Sequence, residues 1–196
     1  MFISSHRRGW VFSPRDLLSH FLRKDIDNAL SDLTLEGKIR RVAKGIYDFP
    51  RYSKITKKPR SVDIQKVALC YARKFNWEIQ ISGESALNLM GLSTQVSSQY
   101  TFLCNGASRT YKLYDDTLIT FKKIALKHSG YKHPQSSLLI QALLSLKQEN
   151  ITDEILDKIR EYFQENYDDK ASFDKILKDA QCSSVWVYET IKRLAK

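Results

Sequence analysis

The side chains with the plainest chemical purpose in this 196-residue chain lie between Leu22 and Lys44. Ile26, Ala29, Leu30 and Leu33 recur at helical spacing and form one apolar stripe, which leaves Arg23, Lys24, Asp27, Asn28 and Ser31 on the polar side. Guanidinium and amide groups presented by a helix reach base edges in a DNA major groove, while ammonium and hydroxyl groups reach phosphates. Lys38, Arg40, Arg41 and Lys44 follow as a second cationic set, suited to a phosphate backbone. The candidate DNA-binding residues are therefore Arg23, Lys24, Asn28, Ser31, Lys38, Arg40, Arg41 and Lys44.

Other chemistry is poorly supported. Gly83-Glu84-Ser85 resembles half of a hydrolase nucleophile elbow, but Leu87 stands where the second glycine belongs, so Ser85 reads as a helix residue. His128 and His133 have no cysteine or carboxylate in ligand register. Asp115 and Asp116 are adjacent, would point to opposite faces of a strand, and read as a turn. The expectation is a protein that is not an enzyme, with no cofactor and no metal.

The elements that must position the cationic residues are legible. Ser13, Pro14 and Asp16 mark a helix start whose apolar side is Leu17, Leu18 and Phe21. A second helix over 22–36 ends at Gly37, a suitable left-handed cap. Residues 38–42 then read as a cationic strand, 43–45 as a tight turn, and 46–49 as the returning strand before Pro50. Two helices and a basic hairpin in this order predict a winged helix-turn-helix. Basic, polar residues 51–60, broken by Pro59, read as an interdomain linker.

Beyond the linker, Ile64, Val67, Ala68, Tyr71 and Phe75 face one side of a helix, and 78–81 alternates as a strand. Residues 83–90 read as a short helix, and 100–104, 110–114 and 117–123 as strands parted by turns at Asn105-Gly106 and Asp115-Asp116. From Gln135 onward four amphipathic stripes predict helices, with Thr152 and Ser184 as N-caps. The expected fold class is α+β: a winged-helix domain and linker over 1–60, a mixed α/β region over 61–134, and C-terminal helices over 135–196 packing on it.

Charge supports that division. Of the net +10, residues 1–60 contribute 14 Lys and Arg against 6 Asp and Glu, residues 61–134 contribute 9 against 5, and residues 135–196 contribute 9 against 11. A phosphate-binding module joined to a near-neutral domain has this asymmetry. Glu149, Asp153, Glu154, Asp157, Glu161, Glu165, Asp168 and Asp169 form an acidic run in the last part. No apolar run reaches bilayer length and no secretory signal is visible, so the expectation is a cytoplasmic protein without membrane contact. Cys70, Cys104 and Cys182, odd in number and far apart, read as buried thiols in a reducing compartment.

A family resemblance joins these observations. Arg8-Gly9-Trp10-Val11-Phe12-Ser13-Pro14, Ala29-Leu30, Gly37-Lys38-Ile39-Arg40-Arg41, Gly45-Ile46-Tyr47-Asp48 and Pro50 resemble the N-terminal domain of AbiEi-type antitoxins of bacterial type IV toxin–antitoxin systems. Ser82-Gly83-Glu84-Ser85-Ala86-Leu87-Asn88-Leu89-Met90-Gly91-Leu92-Ser93-Thr94-Gln95-Val96, with Asn105-Gly106 and Ser108-Arg109-Thr110, resembles the segment that follows in that family. The resemblance spans residues 8–123. It implies an antitoxin that binds double-stranded operator DNA, represses its own operon, and neutralises a cognate nucleotidyltransferase-like toxin. The alternative is a winged-helix transcriptional regulator with a ligand-binding or dimerisation domain and no toxin. In two respects the chain departs from the family: few residues precede Gly9, and Ser97 stands where proline is usual. The short N-terminus leads to the expectation that the middle region or a second copy, as a homodimer, covers Trp10, Ile26 and Leu30.

Overall fold

The computed structural model describes residues 2–93, 98–123, 133–167 and 169–195, and of 169–171 the backbone alone. The chain is α+β, with two small sheets and a larger helical share.

The first unit contains α1 (Phe2–Ser5), β1 (Val11–Phe12), α2 (Arg23–Leu35), β2 (Arg40–Ala43) and β3 (Ile46–Asp48). Its sheet is antiparallel in the order β1-β3-β2, with a bulge between Arg41 and Ala43. The expected first helix is instead a single 3-10 turn, Pro14–Leu17. Asp16 accepts hydrogen bonds from the Ser13 backbone N–H (2.7 Å) and hydroxyl (3.0 Å), which fixes the start. The amides of His20 and Phe21 then both close on the Leu17 carbonyl, and Leu18 and Phe21 remain exposed. Of this stripe only Leu17 is buried; Phe21 meets the Phe2 ring edge-on at 5.8 Å from the surface. The second helix matches expectation closely. It ends in a Schellman arrangement: Gly37 has φ +67°, Lys38 N–H donates to the Leu33 carbonyl (3.0 Å) and Gly37 N–H to that of Thr34 (3.1 Å).

Ile26, Leu30 and Leu33 of α2 pack with Ile3, Phe12, Leu17 and Ile39 into a small core. Trp10 stacks between the rings of His6 (3.6 Å) and Phe12 (4.4 Å). Within this unit Ile26 and Leu30 are covered by Ile3 of α1 and Leu17 of the 3-10 turn, and Trp10 is flanked by His6 and Phe12.

Residues 51–60 are not an extended linker. Tyr52 bridges Pro59, Ser53 N–H donates to the Lys58 carbonyl (2.9 Å), Arg60 N–H to that of Arg51 (2.8 Å), and Lys57 adopts φ +56°, so the segment is a closed loop.

Next come α3 (Ile64–Phe75), β4 (Ile79–Ile81), α4 (Gly83–Leu89), β5 (Gln99–Cys104), β6 (Arg109–Lys112) and β7 (Leu118–Lys123), then α5 (Pro134–Leu146), α6 (Asp153–Asn166), α7 (Asp169–Asp179) and α8 (Val185–Leu194). The second sheet runs β4-β5-β7-β6; β5 and β7 are parallel and the outer pairs antiparallel. Thr152 caps α6 by accepting from Ile155 N–H (3.4 Å), whereas Ser184 stands at the N-cap of α8 without a side-chain cap bond.

One apolar core runs through all three expected domains. Successive residues of a strand face opposite ways; Phe12 and Tyr47 accordingly face α2, while Val11 and Ile46 join Val67, Ala68 and Tyr71 of α3 in the larger cluster. That cluster continues through Phe102, Ile119 and Phe121 to α5, where Leu138, Leu139, Ile140, Ala142 and Leu143 are buried, and on to Ile191 and Leu194. Polar ties reinforce the junction: Arg73 donates from Nε to Asp16 (2.9 Å) and from its terminal nitrogen to the Val11 carbonyl (2.8 Å). Cys70 and Cys104 are buried as expected, but Cys182 is exposed on the 3-10 turn before α8.

Candidate nucleic-acid interface

Helix α2 turns its apolar stripe inward, and each α2 residue of the expected set is exposed: Arg23, Lys24, Asn28 and Ser31. At 100° per residue Lys24, Asn28 and Ser31 share the arc opposite the core, while Arg23 sits at its edge beside the hairpin. There Arg23 donates from Nε to Asp27 (2.8 Å), both side chains being more than half exposed. The Asp27 carboxylate raises the Arg23 pKa, chiefly through that hydrogen bond. The helix as a whole carries Arg23 and Lys24 against Asp25, Asp27 and Asp32, so it is not the source of the positive field.

The hairpin residues divide into two kinds. Arg40 lies directly opposite Asp48 in the ladder and grips it with both arms, Nε to Oδ1 at 3.0 Å and a terminal nitrogen to Oδ2 at 2.7 Å; it also donates to the Arg60 carbonyl (3.0 Å). Asp48 is buried, and its hydrogen bond to Arg40 is the largest cause of that guanidinium's raised pKa. Arg40 is therefore tied into the fold, not displayed with Arg41. Lys38 precedes the strand and pairs with Glu36 (2.7 Å). Arg41 and Lys44 are exposed, and Arg41 lies over the Tyr114 ring at 5.9 Å.

What assembles these residues into a surface is a groove of about 540 Å³ between α2, the hairpin and the second sheet, lined by Arg23, Asp27, Arg41, Lys44, Lys74 and Lys112, with Tyr47, Tyr71 and Tyr111 at its floor. Five cations face one carboxylate. Lys74 and Lys112 were not among the expected residues. Lys74 ends α3, and its ammonium lies so close to the hairpin turn that a Cβ on Gly45 would be 3.4 Å from Nζ. Lys112 ends β6 and pairs with Asp116 (2.6 Å). Only the surplus of basic residues in 61–134 hinted at them.

This chain belongs to the DUF6088 family. Its profile, described as a family of unknown function, matches residues 1–171 and so takes in the groove, both sheets and the helices through α6. A search among curated proteins finds no match. The other candidate residues of this DUF6088 protein lie on separate elements. Ser85 lies within α4 and accepts hydrogen bonds from Thr101 N–H (2.7 Å) and the Ser82 hydroxyl (3.0 Å). A Cβ on Gly83 would fall 2.7 Å from that of Ser145, so the glycine lets α4 approach α5. Asp115 and Asp116 form the β6–β7 turn, with Asp116 at φ +66°. The His133 backbone N–H donates to the Asp179 carboxylate (3.0 Å); His128 and 94–97 lie outside the described residues. Among the described residues no group of three or more His, Cys, Asp or Glu is placed to hold a metal, and no helix is long and apolar enough to cross a membrane.

Proposed function

We propose that this DUF6088 protein binds double-stranded DNA through a winged-helix unit in which α2 reads the major groove and the β2–β3 hairpin, with the adjoining groove, holds phosphates. The observation that carries the reading is the convergence of Arg23, Arg41, Lys44, Lys74 and Lys112 from four elements on one groove beside the exposed face of α2. Because α2 itself is slightly acidic, affinity comes mainly from the hairpin and from α3 and β6, and Asn28 and Arg23 supply base preference. The wider role, an AbiEi-type antitoxin that represses its own operon and neutralises a nucleotidyltransferase-like toxin, is supported by the resemblance of the two sequence blocks. Toxin contact is assigned to the acidic side of α6, which contributes no residue to the phosphate-binding groove, because an enzyme acting on nucleotides presents a basic cleft.

A second reading has one observation in its favour. A cavity of about 380 Å³ lies where the three segments meet, lined by Arg51, Arg60, Lys66, Tyr100, Asp115 and Tyr162 among others, as a ligand-responsive regulator requires. The two readings share the DNA step.

Fluorescence anisotropy tests that step with a duplex taken from upstream of the protein's own gene and a scrambled duplex of equal length. Arg41→Ala and Lys74→Ala are expected to weaken binding to both duplexes and flatten the salt dependence by about one unit of log–log slope per lost phosphate contact. Asn28→Ala is expected to narrow the preference for the first duplex. Equal affinity of wild type and an Arg41→Ala/Lys74→Ala double variant would remove the groove from the interface.

A further inference from the structure

The loop over 53–58 carries Ile55 at its tip, 93% exposed, in the sequence Ser53-Lys54-Ile55-Thr56-Lys57-Lys58. Among the described residues every other isoleucine is buried or half-buried, and this one is held outward by a closed framework. The Tyr52–Pro59 bridge, the Ser53–Lys58 and Arg51–Arg60 backbone bonds, and Thr56 N–H donating to the Ser53 hydroxyl (3.2 Å) fix the loop. Its base is anchored as well. Arg8 lies over the rings of Phe49 (4.6 Å) and Tyr52 (5.2 Å), and Arg51 donates to the Arg8 carbonyl (3.0 Å). No carboxylate occurs between Arg51 and Arg60.

We infer that this loop is a DNA-deforming wedge: Ile55 enters the minor groove and partly unstacks a base step while Lys54, Lys57 and Lys58 sit on the flanking phosphates, bending the bound duplex. The inference rests on the DNA reading above. A minor groove about 6 Å wide admits a narrow loop tip but not a helix, and an apolar side chain among cations is the composition such wedges use. Position agrees with this role. A cleft of about 340 Å³ lined by Arg40, Arg41, Pro59 and Tyr114 connects the base of the loop to the hairpin, and Arg41 also lines the phosphate-binding groove. Arg41 is common to both, so a duplex held in the groove reaches the cleft at the base of the loop, where Asp115 also lies and Arg40 is bound to Asp48. A loop already closed by its own hydrogen bonds inserts without first being ordered, so the deformation is not opposed by a folding step.

The test uses the full chain and the upstream duplex labelled at both ends with an energy-transfer pair, beside anisotropy for affinity. Binding of the wild type is expected to bring the duplex ends closer. Ile55→Ala should bind within about threefold of wild type yet leave the duplex straight, and Ile55→Leu should restore the bend. Since Ile55 is solvated, thermal unfolding of both variants should match wild type. A bound, unbent duplex with wild type, or an unchanged bend with Ile55→Ala, overturns the wedge while leaving the DNA reading intact. Failure of wild type to bind any duplex overturns both. Vesicles of phosphatidylserine and phosphatidylcholine form the control arm: Ile55-dependent binding there, without DNA bending, would reassign the loop to an anionic membrane surface and refute the inference.

Discussion

Arg40 and Arg41 are neighbours in the sequence with opposite duties. Removing Arg40 leaves the Asp48 carboxylate buried with its main partner gone; because Arg40 is itself about a third exposed, water relieves part of the cost and about 2–3 kcal/mol of stability is expected to be lost. Arg41→Ala removes an exposed side chain and should leave the urea midpoint in place while weakening DNA binding. Urea denaturation of the two single variants separates them, and an unchanged midpoint in Arg40→Ala would show that the pair contributes nothing to the fold. The sequence could not distinguish these residues, since the pairing depends on hairpin register and on a bulge that local spacing does not fix. Gly37 was readable for the opposite reason: its role is decided within six residues of chain. Gly83 stands between these cases. Its place before a helix suggested a motif, but its reason is Ser145, sixty-two positions away, so Gly83→Ala should destabilise by about 1–3 kcal/mol and Ser145→Gly should recover part of the loss. Recovery of none would place the strain elsewhere.

At the scale of elements, what the chain's periodicity announced was formed where an apolar stripe had somewhere to pack. α2, α3 and α5 to α8 have such partners, and their positions follow the sequence closely. Residues 17–21 bury only Leu17 of their stripe, and the expected helix shrinks to a turn. The basic tract over 51–60 read as linker because its composition is polar, while the bonds that close it are backbone bonds, which composition does not record. The groove was least legible of all, because Lys74 and Lys112 come to it from a helix end and a strand end far along the chain. Thiol chemistry offers a simple check on element placement. Burial pushes the Cys70 thiol on α3 up to about 12, and Cys104 is enclosed on β5, whereas Cys182 lies open on its turn. Iodoacetamide at pH 8 should therefore modify Cys182 rapidly in the native protein, and the other two only after denaturant is added. Rapid labelling of Cys70 in the native state would mean that the first unit does not stay docked on α3.

At the scale of the whole molecule, the charge asymmetry suggested separable domains, but packing joins them. The sheet of the first unit is sandwiched between α2 and α3, so cutting the chain at residue 60 exposes Val11, Val42, Ala43 and Ile46 together. A fragment over 1–60 is expected to be poorly folded by hydrogen exchange, and a fragment over 61–196 to bare the matching face of α3; neither isolates one function. Point variants of the full chain do. The outer side of α6 carries Glu154, Asp157, Glu161 and Glu165 within little more than one side of the helix, and all four are exposed. Asp157 pairs with Arg160 (2.7 Å), and Arg193 reaches Asp153 (3.1 Å), which leaves Glu154, Glu161 and Glu165 as the residues to change. If the antitoxin reading holds, Arg41→Ala/Lys74→Ala should release a promoter–reporter from repression yet still protect cells that express the cognate toxin. Glu154→Gln/Glu161→Gln/Glu165→Gln should keep repression and lose protection, by charge complementarity lost on a helix that contributes no residue to the groove. Thermal unfolding guards against a trivial result: Arg41, Glu154, Glu161 and Glu165 are exposed and Lys74 is half-buried at the end of α3, so each variant should melt close to the wild type. Protection that disappears together with repression in the groove variant would mean that toxin control runs through DNA alone, and the acidic side of α6 would then be no more than a solvated helix face.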